Sequence, residues 1–139
     1  MKNIKNMKKF RVTLNEHQLR LISQCVEDCH RFMGGQMELW NTISCLDHEN
    51  FMELRDKLGE LKPLVTPDLP RGGCYGWDGS TCPNKHQRKF LAETYYIYRE
   101  ILHRLTDPKD TWNVYSGFTL TCEDSGEPII IEEVTDDRT

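Results

Sequence analysis

The stretch from Thr81 to Leu105 constrains the fold more than any other, because its apolar residues keep a helical period for longer than an average globular helix. Phe90, Leu91, Tyr95, Ile97, Tyr98, Ile101, Leu102 and Leu105 recur at three- and four-residue steps and define a face that has to be buried. Lys85, Arg88, Lys89, Tyr96, Arg99 and His103 fall on the remaining surface, with Arg104 at its edge, so cations and a phenol share one side. Such a side suits an anion. The competing reading is ordinary helical pairing, in which Glu93 and Glu100 neutralise Lys89, Arg99 or Arg104.

A chain of 139 residues fits one domain with a core of its own. We expect a globular body over residues 10–134, a basic mobile arm over 1–9 (Lys2, Lys5, Lys8, Lys9) and an acidic tail over 135–139. A formal net charge of -4 argues against wrapping duplex nucleic acid, which needs a basic surface. No run approaches the ~20 apolar residues of a membrane span, and residues 1–12 lack the apolar segment of an export signal. An intracellular protein with reduced thiols follows as the expectation, and Cys25 and Cys29 then read as small core residues of a helix.

Phe10, Val12 and Leu14 alternate with polar residues as a short strand does. Thr13 with Glu16 fits a capping box, opening a helix over residues 14–33 that buries Leu21, Ile22, Cys25, Val26, Cys29, Phe32 and Met33. Gly34 and Gly35 end or bend it; they also would let a ligand reach the backbone amides beside Gln36. A second helical piece carries Met37, Trp40, Ile43 and Leu46. A third, over residues 48–61 with Asp47 or Asn50 as its cap, turns Phe51, Leu54, Leu58 and Leu61 inward and ends at Pro63, Pro67 and Pro70. The loop from Pro67 to Cys82 holds Gly72, Gly73, Gly76 and Gly79 and is longer than a minimal connection, which marks it as functional or mobile. Tyr75 and Trp77 are expected to pin it to the core, and Pro83 fits the first turn of the long helix with Ser80 or Thr81 near its cap.

After Pro108 the period shortens. Trp112, Val114, Tyr115, Phe118, Leu120 and Cys122 suggest one strand, Ile129, Ile130, Ile131 and Val134 another, with residues 123–127 as the turn between them. The predicted class is α+β: three to four helices packed on a small antiparallel sheet made of the N-terminal strand and a C-terminal hairpin.

Cys74, Cys82 and His86 are the one set that a folded-back loop would bring together as a zinc site, or as a thiol with a neighbouring base. Cys25, Cys29 and His30 are poor co-ligands, because His30 is turned about a hundred degrees from Cys29 on a helix. Glu132 and Glu133 alternate across a strand and cannot serve one site. No phosphate-binding or dinucleotide fingerprint is present. The residue types favour a binding protein over an enzyme, with no cofactor. The candidate ligand contacts are Gln36, Tyr75, Trp77, Arg88, Tyr96, Arg99 and His103: arginines for forked bonds to phosphate, aromatic rings for stacking on a base.

Several short motifs resemble small accessory proteins of tailed bacteriophages and prophages. They are Leu14-Asn15-Glu16-His17-Gln18-Leu19, Gly35-Gln36 followed by Glu38, Tyr75-Gly76, and Tyr96-Ile97-Tyr98 through His103-Arg104-Leu105. The resemblance implies a place in the cytoplasm of a bacterial host and action by stoichiometric binding. Two targets fit: a small anionic nucleotide signal of a host defence system, sequestered, or a host protein, masked at a surface. A homodimer would suit so small a binder, since a groove between subunits encloses a ligand easily.

Overall fold

The computed structural model describes residues 7–37, 39, 50–105 and 127–135. In chain order they form β1 (Phe10–Thr13), α1 (Glu16–Met33), α2 (Phe51–Glu60), α3 (Lys62–Val65), α4 (Lys85–Leu105) and β2 (Ile130–Glu133). The class is α+β, as the sequence predicts. β1 and β2 pair antiparallel, with Phe10 opposite Glu133, Arg11 opposite Glu132, Val12 opposite Ile131 and Thr13 opposite Ile130. Chain start and C-terminal strand therefore meet as expected. The strand predicted over residues 112–122 and most of the helical piece after Gln36 lie outside the described residues. So do the basic arm up to residue 6 and the acidic tail after residue 135.

α1 opens one residue pair later than its sequence pattern suggests. Asn15, not Thr13, is the cap: its Oδ1 accepts from the Gln18 backbone N–H at 2.8 Å, and the Gln18 Oε1 accepts from the Asn15 N–H at 3.1 Å. An amide pair thus makes the reciprocal box that the sequence pattern assigns to Thr13 and Glu16. Gln18 also donates from Nε2 to the Glu127 carbonyl at 2.7 Å, which ties the start of α1 to the segment leading into β2.

The other end of α1 closes as a Schellman motif. Gly35 adopts φ 105°, its N–H donates to the Phe32 carbonyl at 3.2 Å, and the Gln36 N–H donates to Arg31 at 2.8 Å. Those amides are engaged in the helix end, so the glycine pair does not offer them to a ligand. Gly34 lies beside Leu91, where a Cβ would make only an ordinary contact, 3.6 Å from Leu91 Cδ2.

α1 and α4 form the main helix pair, and its buried faces are narrower than the apolar pattern predicts. On α1 the buried positions are Ser23, Asp28 and His30, while Cys25 and Cys29 are exposed. The expected stripe lies about a quarter turn round the helix from the line through Ser23, Val26 and His30 that meets α4. The two cysteines are surface thiols, not core residues. On α4 the buried residues are Leu91, Tyr98 and Leu102, flanked by Tyr95, while Phe90 and Ile97 remain partly open to solvent.

Two apolar clusters result. Tyr98 and Leu102 pack with Val26 and Tyr95, and Tyr75, Cys82 and Leu91 pack with Met33 and Leu69. The second cluster draws the long loop onto the helix pair. Gln87 strengthens the join, donating from Nε2 to the carbonyls of Met33 at 2.6 Å and Val65 at 3.1 Å.

α2 is capped by Asn50 in position only, since no side-chain bond forms there. Phe51, Leu54 and Leu58 are half-buried and Leu61 is exposed. Pro63 does not end the helical run. It stands in the first turn of α3, where a missing N–H costs nothing. α4 begins at Lys85, after Pro83, and its cap is Asn84, whose Oδ1 accepts from the Gln87 N–H at 3.0 Å.

Candidate functional site

A buried lysine organises the surface next to the end of α1. Lys62, 8 % exposed, starts α3 and sends its Nζ to the Gly35 carbonyl and the Gly73 carbonyl, both at 2.5 Å. An ammonium taken out of water is tolerated when carbonyl dipoles replace the water, and charge-assisted bonds of this kind contribute about 1.5–3 kcal/mol each. Glycine is required at position 35 on two counts: its φ is positive, and a Cβ there would meet Lys62 Nζ at 2.9 Å. Two glycine-rich segments thus converge on one cation.

Lys62 lines a cleft of about 900 Å³. Gly35, Gln36 and Met37 form one wall, Gly72, Gly73 and Cys74 another, and Arg55, Asp56, Glu60 and Arg71 stand on it too. Arg55 reaches Asp56 at 3.3 Å and Lys57 reaches Glu60 at 3.9 Å. Arg71 is exposed and makes no hydrogen bond or ion pair among the described residues, so Lys62 and Arg71 supply the positive charge not already matched by a carboxylate.

A second, smaller cleft of about 260 Å³ lies against the same wall, sharing Gln36 and Cys74. His30, Arg31, Gly34, Gly76, Trp77 and Tyr98 complete it. His30 is buried and bonds from Nδ1 to the Thr94 Oγ1 at 2.9 Å, and its ring packs against those of Tyr95 and Tyr98, which also touch each other. Burial pushes the imidazole below its ordinary value of 6.5, with the Arg31 charge adding to the effect and the Trp77 and Leu91 carbonyls opposing it. Arg31 is held by Glu27 at 2.8 Å and donates to Gln36 Oε1 at 3.3 Å.

The loop between the clefts is fastened at several points. The Tyr75 N–H donates to the Gly34 carbonyl at 2.9 Å, the Thr81 hydroxyl to the Tyr75 carbonyl at 2.9 Å, and the Tyr75 hydroxyl to the Asp68 carboxylate. Burial, then the Asp68 carboxylate, raises the phenol above its ordinary range, so it stays a donor. Gly79, at φ 70°, lies flat on Leu91. Trp77, expected to pin the loop, is instead 75 % exposed, whereas Tyr75 at 2 % exposed carries that role alone.

The structure brings Gln36 and Trp77 to one cleft and distributes the other sequence-predicted contacts elsewhere. The Tyr75 ring is inside the core. Arg88 donates from Nη1 to the Cys82 carbonyl at 2.7 Å, fixing the entry to α4. Arg99 lies over the Tyr95 ring, 5.1 Å from its centre, donates to the Tyr95 hydroxyl at 2.5 Å and reaches His103 at 3.4 Å. Tyr96 and His103 are exposed and line neither cleft.

Among the described residues no three His, Cys, Asp or Glu side chains gather as a metal site. Cys74 and His86 are exposed, while Cys82 is buried with its Sγ 3.7 Å from the Asn84 carbonyl, so these three are not gathered as a zinc site. The cleft cations, Lys62 and Arg71, are absent from the contacts that the sequence predicts. The available signal was a lysine inside the apolar run Leu61 to Val65 and two glycine pairs, Gly34-Gly35 and Gly72-Gly73, that permit close backbone approach. Compared with protein-family models, curated proteins and solved structures, the chain matches none.

Proposed function

We propose that the protein is a non-enzymatic binder that captures a small anionic ligand in the cleft beside Lys62. The observation that carries this reading is a buried ammonium on the cleft wall with a third N–H beyond its two carbonyl partners, next to the unmatched guanidinium of Arg71. The buried, clamped cation and the exposed one divide the work: Lys62 sets the position and Arg71 reaches to the ligand. The carboxylates on the same wall, Asp56 and Glu60, are matched to Arg55 and Lys57, an arrangement that suits holding a ligand over transforming it.

The phage resemblance of the sequence gives this activity its setting, as a host-directed inhibitor working in the cytoplasm of a bacterial host by sequestering a signal molecule. Two-fold association and a C-terminal hairpin completing the sheet belong to the same proposal. The second reading, masking of a host protein, is favoured by the exposed apolar side chains Met52, Leu61 and Leu64, the last 80 % exposed, on α2, α3 and the residue that joins them.

Calorimetric titration with inorganic pyrophosphate tests the anion reading. One site per chain is expected, weakened at least about tenfold in Arg71→Ala, the loss of one charge-assisted contact, and unchanged in Arg99→Ala, which lies on the Tyr95 ring. Absence of binding at millimolar pyrophosphate would overturn it and leave the α2–α3 surface as the site of action.

A further inference from the structure

The two clefts meet at one wall, and their linings differ in kind. The larger holds the unmatched cations. The smaller is walled by the rings of His30, Trp77 and Tyr98, and Arg31, the cation among its described lining residues, is engaged by Glu27. Resting on the anion reading above, we infer that the ligand is a nucleoside phosphate whose charged end lies in the Lys62 cleft and whose base lies in the smaller cleft, stacked on Trp77.

Three observations support this division. Trp77 keeps most of its ring open, although the residues before and after it are fastened: Tyr75 through its amide and hydroxyl, Gly79 against Leu91. A ring displayed from an ordered backbone binds a planar partner at little ordering cost. Secondly, Gln36 stands on the wall between the clefts, its Oε1 occupied by Arg31 and its Nε2 making no hydrogen bond among the described residues. That amide is placed to donate to a ring nitrogen or carbonyl of a base. Thirdly, burial lowers the pKa of His30 and favours its neutral form, and Arg31 is already engaged by Glu27, so the small cleft offers a stacking environment with no unmatched charge to compete for phosphate. An anion lacking a ring would fill the large cleft and leave the small one unused.

The test compares inorganic pyrophosphate, ADP and CDP by calorimetry on the full chain and on Trp77→Ala and Trp77→Phe. Because the Trp77 side chain is largely exposed, both variants are expected to fold, which circular dichroism checks. ADP and CDP should bind at least about fivefold tighter than pyrophosphate, the smallest gain a stacked base usually brings. Trp77→Ala should abolish that margin, Trp77→Phe should retain most of it, and pyrophosphate should bind all three proteins alike. If pyrophosphate binds but neither nucleotide gains over it, or if the margin survives Trp77→Ala, the base cleft is refuted and the anion cleft stands. If neither pyrophosphate nor the nucleotides bind, both readings fall together.

Discussion

Gly79→Ala tests the packing that holds the long loop on the helix pair. Gly79 adopts φ 70°, and an added Cβ would stand 2.5 Å from Leu91 Cβ and 2.6 Å from Leu91 Cδ1. Neither atom can yield, since Leu91 is fully buried in the cluster with Tyr75 and Cys82, and its Cβ is fixed by the α4 backbone. Two costs combine: about 1–2 kcal/mol for an L-residue in the left-handed region and about 1–3 kcal/mol for an extra methyl forced into a packed core. The sum is a loss of about 2–5 kcal/mol. Gly76 isolates the first cost, because it sits at φ 87° and a methyl added there would meet no atom within 4 Å, so Gly76→Ala should lose only about 1–2 kcal/mol. Urea unfolding followed by circular dichroism measures both. Equal midpoints for Gly76→Ala and Gly79→Ala would show that the loop does not rest on Leu91 as described.

The other expectations are smaller and local. Because burial holds folded His30 below 6.5, the unfolded chain takes up that proton first; stability is full above about pH 6.5 and declines as pH falls from there towards the lowered folded value. Thermal melts between pH 7.5 and 5 should show a steeper decline in the parent than in His30→Gln, and parallel curves would count against a neutral buried imidazole. Asn15→Ala should cost about 1 kcal/mol in urea unfolding, with Thr13→Ala near neutral; the reverse order would restore Thr13 as the cap. Ser23 is fully buried and its hydroxyl has no hydrogen-bond partner among the described residues, so Ser23→Ala should raise stability by about 1 kcal/mol, and a loss of that size would mean the hydroxyl is bonded after all.

Local rules made the frame legible. The long helix, the stop at the glycine pair, the strand at Phe10 to Thr13 and its C-terminal partner each follow from a period or a backbone requirement contained in a few residues. Boundaries slipped where two residues offered the same chemistry, as at Asn15 against Thr13 and Asn84 against Ser80 or Thr81. The faces were harder. α1 has enough apolar residues for a stripe through Cys25 and Cys29, but the helix turns towards α4 through small and polar residues, Ser23 and His30, because Thr94 and two tyrosines satisfy the imidazole. The site was least legible, since Lys62 and Arg71 become neighbours of Gln36 only when α3 and the Gly72-Gly73 turn fold against the end of α1. Arginines on the long helix resemble a ligand surface because sequence displays helical spacing, whereas Arg88 and Arg99 are bound to groups of their own helix and its entry.

The Lys62 clamp also gives the protein an internal timer. Lys8, Lys9, Lys57, Lys85 and Lys89 are exposed, and their amines meet a reagent such as formaldehyde with borohydride directly. Lys62, 8 % exposed and held by the carbonyls at Gly35 and Gly73, meets it more slowly, and faster when the turn after Pro70 lifts from the end of α1. Its methylation rate, read by peptide mass spectrometry against the exposed lysines, therefore rises with how often that turn lifts, and a molecule seated in the cleft would lower it.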